Sequence, residues 1–230
     1  MSDCRILIFL KAPIKGYIKT RLSQSLGENR VLELYRCFVR DVLKKAGSHG
    51  DVTLFYYPSD KRRETAAMTG EEFELVVQDG ADLGDKMACA FEYEFNKGTT
   101  AAILIGTDVP DVPESMLRQA CEALEEHQAV IGPVGDGGYF LIGFTRDSFS
   151  RKCFEDIPWS TPTVFEKTIE ILMQNRISCH VLPLWHDVDT GEDYDALVSR
   201  LRSGLSQAPH TLKFILDHET HHFDHHSCSE

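Results

Sequence analysis

The chain has 230 residues, 42% of them apolar, and 24 basic residues against 36 acidic ones give it a formal net charge of -12. That length and apolar content suit one α/β domain with a sizeable core. The acidic balance argues against a nucleic-acid polymer or an anionic membrane as partner.

The first expected element is an apolar strand over residues 4–10. It is too short for a secretory leader and runs into Lys11, so it reads as a core strand. The loop that leaves it is basic within an acidic protein: between Asp3 and Glu28 there is no carboxylate, while Arg5, Lys11, Lys15, Lys19 and Arg21 are all cationic. A charge reversal at a strand-to-helix turn, with Gly16 to let the backbone approach, suits an anionic phosphate chain. The loop lacks the three glycines of a dinucleotide fingerprint and the Gly-Lys-Ser/Thr of a P-loop, so a dehydrogenase and a P-loop kinase are both disfavoured. Lys11 also stands where a haloacid-dehalogenase-like phosphatase would need its nucleophilic aspartate. A helix follows at about 29–46, with Val31, Tyr35, Phe38, Val39, Val42 and Ala46 along one face.

Strands are expected at 52–57 and 74–78. The second ends in Gln78-Asp79-Gly80-Ala81-Asp82-Leu83-Gly84-Asp85-Lys86-Met87, a polar glycine loop that opens a helix at about 84–96. The next strand, 101–106, is apolar throughout, as in strands buried on both faces, and it delivers Asp108 to a turn closed by Pro110. In open α/β sheets the carboxyl ends of the strands border the binding crevice, so Asp108 is aimed at a ligand; as a bare helix cap it would serve the helix expected at about 114–125.

Strands at 129–134 and 139–143 flank Gly135-Asp136-Gly137-Gly138 and read as a hairpin that brings backbone close to a ligand around Asp136. A helix at about 162–174 and a strand at 177–184 follow. The strand leads to a second acidic end, His186-Asp187-Val188-Asp189-Thr190-Gly191. Thr190 and Asp193 have capping-box spacing for a helix at about 191–203, which leaves Asp187 and Asp189 unexplained by capping. Asp108 with Asp189 or Asp187 would supply the one or two carboxylates that a hard divalent ion such as Mg2+ takes, the rest of its octahedron being water and phosphate oxygen. Beyond residue 204 the pattern fades into a histidine-rich end, where His218, His221, His222, His225 and His226 offer either a metal site or a solvated terminus.

The ordered set K-A-P-x-x-G-x-x-K-T-R-L (Lys11 to Leu22), Q-D-G-x-D-L-G-D-K-M (Gln78 to Met87), I-G-T-D-V-P (Ile105 to Pro110), G-P-x-x-D-G-G-Y-F-L-I-G (Gly132 to Gly143), W-S-T-P (Trp159 to Pro162) and D-V-D-T-G-E-D-Y (Asp187 to Tyr194) resembles the bacterial family called domain of unknown function 2064. That family sits among the nucleotide-diphospho-sugar transferases of GT-A fold. The resemblance spans residues 6–194, and its first motif is also similar to the phosphate loop of phospholactate guanylyltransferases. It implies a single-domain GT-A-like three-layer α/β sandwich with a mixed, mainly parallel sheet; the domain is expected over residues 1–204, and the histidine-rich extension over 205–230 lies outside the resemblance. It further implies that Lys19 and Arg21, with Lys11 behind them, hold nucleotide phosphates, with Gln78 and Gly84 also on the nucleotide. Asp108 and Asp189, with Asp187 beside them, would carry Mg2+ or Mn2+, and Asp136 would face the sugar or acceptor as the catalytic group. Gly191 stands where relatives often have proline, and Val109 where many have cysteine; neither is a proposed ligand.

Three functions stay open on this reading. The first is a metal-dependent glycosyltransferase moving a sugar from a nucleotide-sugar to a small-molecule acceptor. The second is a nucleotidyltransferase coupling a nucleoside triphosphate to a phosphorylated small molecule, and the third a non-catalytic nucleotide or sugar binder. The cysteines Cys4, Cys37, Cys89, Cys121, Cys153, Cys179 and Cys228 are scattered without a Cys-x-x-Cys pair, which fits a reducing cytoplasm. No segment approaches membrane-spanning length, so membrane insertion is not expected.

Overall fold

A computed structural model describes residues 4–223, with the side chains of 219–223 left out of the description. Seven strands form one sheet: β1 (Cys4–Lys11), β2 (Val52–Tyr57), β3 (Glu74–Val77), β4 (Ala101–Gly106), β5 (Ala129–Pro133), β6 (Tyr139–Thr145) and β7 (Cys179–Val181). Their order across the sheet is β3-β2-β1-β4-β6-β5-β7. Every pairing is parallel except those of β6, which runs antiparallel to both β4 and β5. The α/β class and the mixed, mainly parallel sheet are those expected from the alternation of apolar strands and amphipathic helices.

Among the described residues eight α-helices accompany the sheet: α1 (Thr20–Leu26), α2 (Glu28–Gly47), α3 (Arg62–Thr69), α4 (Leu83–Asn96), α5 (Glu114–Glu126), α6 (Val164–Gln174), α7 (Gly191–Arg202) and α8 (Pro209–Phe223). The period-2 alternation of β1 sends Ile6, Ile8 and Leu10 to one face, where they meet Val39 and Val42 of α2 and Leu117 of α5. Leu7 goes to the other face, against Phe91 of α4 and Leu172 of α6. Both faces are therefore covered, which is why the strands read as continuous apolar runs. A side chain such as Ile6 or Phe91, with no exposed surface, contributes about 1.5–3 kcal/mol by leaving water.

Helix α2 has a second apolar stripe. Val31, Leu34 and Phe38 pack with Tyr194, Leu197 and Leu201 of α7 and with Phe214 and Ile215 of α8. Helix α8 was not anticipated: residues 209–223 continue the same body, and their start is fixed by Asp41 of α2. The buried Asp41 carboxylate accepts from His210 N (3.0 Å), Thr211 N (2.8 Å) and Thr211 Oγ1 (2.7 Å), satisfying amides that a helix start leaves unpaired. His218 lies on this helix and its Nδ1 is 2.9 Å from Phe214 O. The side chains of His221, His222, His225 and His226 lie outside the description, so the metal reading of the tail does too.

The short helices α1 and α3 were also missed, since α1 buries only Leu22 and leaves little periodicity to read. The strand expected over 177–184 pairs only as Cys179–Val181; Pro183 has no amide hydrogen to donate to a ladder.

Candidate active site

The parallel register Ile8↔Ile105 and Phe9↔Gly106 brings the carboxyl ends of β1 and β4 side by side. The loops that leave them wall a cleft of about 490 Å³. Lys11, Lys19, Arg21, Gln78, Asp108, Asp187 and Asp189 all line it, so seven of the nine expected site residues converge on one place.

At its centre the Lys19 ammonium lies 2.8 Å from Asp108 Oδ2 and 2.7 Å from Asp189 Oδ1. Lys19 precedes α1 in a left-handed conformation, φ 47° and ψ 50°, which a lysine adopts only when its surroundings enforce it. Its side chain is 5% exposed, against 46% for Asp108 and 45% for Asp189. Burial by itself would lower the ammonium pKa, but the two carboxylates outweigh it and hold the pKa above its ordinary value. The lysine is thus a fixed cation, and the carboxylates around it keep one open side each.

Backbone contacts set this spacing. Val188 N donates to Asp108 O at 2.9 Å, which ties the two acidic loops directly. Thr190 and Asp193 form the expected capping box at the start of α7, and Asp193 Oδ2 also accepts from Asp189 N at 3.1 Å. On the other side the buried Tyr35 hydroxyl accepts from Lys11 N (2.9 Å) and Thr107 Oγ1 (3.2 Å) and donates to Lys11 O (3.2 Å). It fastens the end of β1 to the end of β4, and burial raises its pKa so that the proton stays on. In the sequence Tyr35 is one more apolar-face residue of a helix; only a hydroxyl in an otherwise aliphatic stripe hints at this role.

Asp187 is half-buried beside these groups. Burial and then the nearby Asp136 charge push its carboxyl up to about 6, against the opposing pull of Lys19. Asp136 itself is exposed, does not line the cleft, and accepts from Gly138 N at 2.9 Å. It therefore sits at the rim on the Asp187 side. Gly137 holds the turn with φ 89°, and a Cβ there would collide with the Pro162 carbonyl. The W-S-T-P segment thereby buttresses the hairpin.

Gly84 is placed otherwise than expected for a nucleotide contact. It lies outside the cleft lining, and a Cβ would meet Phe154 O at 2.7 Å and the Trp159 ring at 2.9 Å; its glycine lets α4 pack against that loop. Lys11 and Arg21 are exposed, and among the described residues their side chains make no ion pair. They are free to meet an anion.

Among the described residues no three acidic, histidine or cysteine side chains already converge as a metal cage. The donor set nevertheless fits a hard divalent cation. Asp108, Asp189 and Asp187 offer only oxygen, they outnumber the single Lys19 charge, and a Mg2+-type ion needs one or two of them plus phosphate oxygens.

Such a strand-edge cleft on this sheet defines a nucleotide-diphospho-sugar-transferase-like α/β fold. Residues 41–161 match the family described as an uncharacterized protein conserved in bacteria, DUF2064, and the chain belongs to that family. It is similar to a candidate nucleotide-diphospho-sugar transferase from Desulfovibrio desulfuricans G20, with 34% identity over 96% of each chain and a TM-score of 0.89. More distant folds of the same kind include the inositol-1-phosphate CTP transferase of T. maritima (15% identity, 88% of this chain and 95% of that one, TM-score 0.57). Another is a manganese complex of Rv0371c from Mycobacterium tuberculosis (17% identity, 85% and 98%, TM-score 0.50). No curated protein matches the sequence. Among the described residues no helix is long and apolar enough to cross a membrane.

Proposed function

We propose that the protein is a divalent-cation-dependent transferase that takes a nucleotide-sugar donor and glycosylates a small-molecule acceptor in the cytoplasm. The observation that carries this reading is the pair of strand-end aspartates, Asp108 and Asp189, held on one buried lysine with an open side toward a cleft flanked by Lys11 and Arg21. Asp108 and Asp189, with Asp187 beside them, would hold Mg2+ or Mn2+, which supplies Lewis-acid neutralisation of a departing diphosphate. Arg21 and Lys11 bind the same phosphates through charge-assisted hydrogen bonds. Lys19 keeps the carboxylates aligned so that no reorganisation is needed when charge develops. Asp136, at the rim, would accept a hydrogen bond from an acceptor hydroxyl.

Nucleotidyl transfer is the second reading, supported by the likeness of the fold to a CTP transferase. Incubation with a panel of nucleotide-sugars and of nucleoside triphosphates, with candidate acceptors and Mg2+ or Mn2+, separates the two. Release of nucleoside diphosphate from a nucleotide-sugar is the expected result. Pyrophosphate release from a triphosphate would establish the second reading, and tight binding without either product would reduce the protein to a binder.

A further inference from the structure

Lys45 of α2 is a buried lysine outside the cleft lining, and it is tied to the loop that carries Asp108. Its ammonium donates to Pro110 O at 2.7 Å and to Gln207 O at 2.6 Å. These backbone carbonyls stand 65 and 162 residues away in the chain, one on the β4 loop and one on the segment that enters α8. Burial pulls the Lys45 pKa down to about 8, although Asp41, Asp111 and Glu114 act the other way. Burying a cation is costly, and two charge-assisted bonds to carbonyls that would otherwise be unpaired offset the cost.

The β4 loop and the α8 entry meet a second time, where Ser206 Oγ donates to Asp111 Oδ2 at 2.9 Å. Asp111 also accepts from Arg200 of α7, and α7 begins at the capping box beside Asp189. A closed circuit results. Asp108 and Asp189 are joined directly through Val188 N on Asp108 O, and again the long way round, through α7, Asp111, residues 206–207, Lys45 and Pro110. Tyr35 holds the loop before the acid, at Thr107 Oγ1, and Val188 holds it at the acid. Lys45 catches it just beyond.

We infer that Lys45 is a positioning residue, which clamps the turn after Asp108 to the start of the C-terminal helix and so sets the Asp108–Asp189 separation at which one divalent cation can bridge both. Lys45 touches neither the cation nor the substrate. Without its donors the Pro110 carbonyl is released, and the loop that displays Asp108 loses its anchor on α2. The inference rests on the cation reading above and adds a residue and a segment on which that site depends.

Binding of Mn2+ alone to the full-length chain, followed by loss of the free-ion electron paramagnetic resonance signal, tests it. The unmodified protein is expected to bind Mn2+, and Asp108→Asn to lose that binding. Lys45→Met keeps the aliphatic stem and removes the donors, so it should bind Mn2+ about tenfold more weakly, the lower end of what support behind a metal ligand contributes. Phe91→Leu, a core change on the opposite face of the sheet, should bind as the parent does. Coupling is reciprocal, so saturating Mn2+ should slow hydrogen exchange of residues 206–212 in the unmodified protein by about the same tenfold, and that of α6 on the opposite face by less. That measurement decides the matter where Lys45→Met does not fold. Parent affinity in a folded Lys45→Met protein, an equal loss in Phe91→Leu, or exchange in 206–212 slowed no more than in α6 overturns the role of Lys45 and leaves the cation reading standing. An unmodified protein that binds no Mn2+, or binds it no better than Asp108→Asn, overturns the cation reading and the inference with it.

Discussion

Asp108 and Asp111 lie three residues apart in one loop and are used in opposite ways. The Asp111 side chain is 0% exposed and fully engaged, accepting from Arg200 Nε (2.8 Å), Ser206 Oγ (2.9 Å) and Trp185 Nε1 (3.4 Å). Asp108 is 46% exposed and among the described residues has one side-chain partner, Lys19, which it shares with Asp189. A buried carboxylate that accepts from three donors on three elements is architecture, and it joins the β4 loop to α7 and to the segment that enters α8. A half-exposed one that shares its cation has capacity left for a ligand. The contrast shows that the metal-binding candidate depends on its neighbour: Asp111 holds the loop that Asp108 is displayed on.

The sharpest way to break this contrast is to remove each acid in turn. Asp111→Ala strands the Arg200 guanidinium in the interior and should cost about 3–5 kcal/mol in urea unfolding. Asp108→Asn keeps shape and an acceptor for Lys19, so its stability should fall by about 1 kcal/mol or less. Its Mg2+-dependent nucleotide binding should instead weaken by about a hundredfold or more, equivalent to about 2.8 kcal/mol, by titration calorimetry. An Asp108→Asn protein that binds with unchanged affinity and unchanged Mg2+ dependence would make Asp108 a second structural acid, and the contrast would be gone.

This division was only half legible in the sequence. Asp108 and Asp189 stood out because an apolar strand running into an acid is a local pattern, and local patterns survive in one dimension. The partners of Asp111 are 89 and 95 residues away, and nothing nearby marks it as different from Asp108. The same limit explains Gly84, whose glycine reads as a ligand loop until Trp159 is seen against it. It also explains α8, where Phe214 and Ile215 bury against α2 but carry too few apolar companions to announce a helix. Lys19 was expected to hold phosphates together with Lys11 and Arg21, and the structure turns its ammonium to Asp108 and Asp189. Its direction was not readable, because a left-handed residue ahead of a helix turns the ammonium toward the acids rather than out with Lys11 and Arg21.

Asp187 offers the smallest and most diagnostic effect, because its stability and binding roles have opposite signs. Its carboxyl is pushed up from 3.8 to about 6, by burial first and then by Asp136. At pH 8 it is ionised in both folded and unfolded states, and the folded state alone bears the cost of the crowded charge. As pH falls through about 6 the folded protein takes up the proton before the unfolded chain does, so this group's contribution to stability improves between about 6 and 3.8. Asp187→Asn never carries the charge. It should therefore be more stable than the parent at pH 8 by about 1–2 kcal/mol, allowing for solvent screening on the exposed side of the group. The gap should close toward pH 4, as urea unfolding without divalent cations would show. Adding Mg2+ and a nucleotide should reverse the order at pH 8, since the parent then gains binding energy that the variant lacks. Equal stability of the two proteins at both pH values would mean that the Asp187 charge is not felt by the fold. A stabilised variant that still responds fully to Mg2+ would remove Asp187 from the cation site and leave Asp108 and Asp189 to hold it alone.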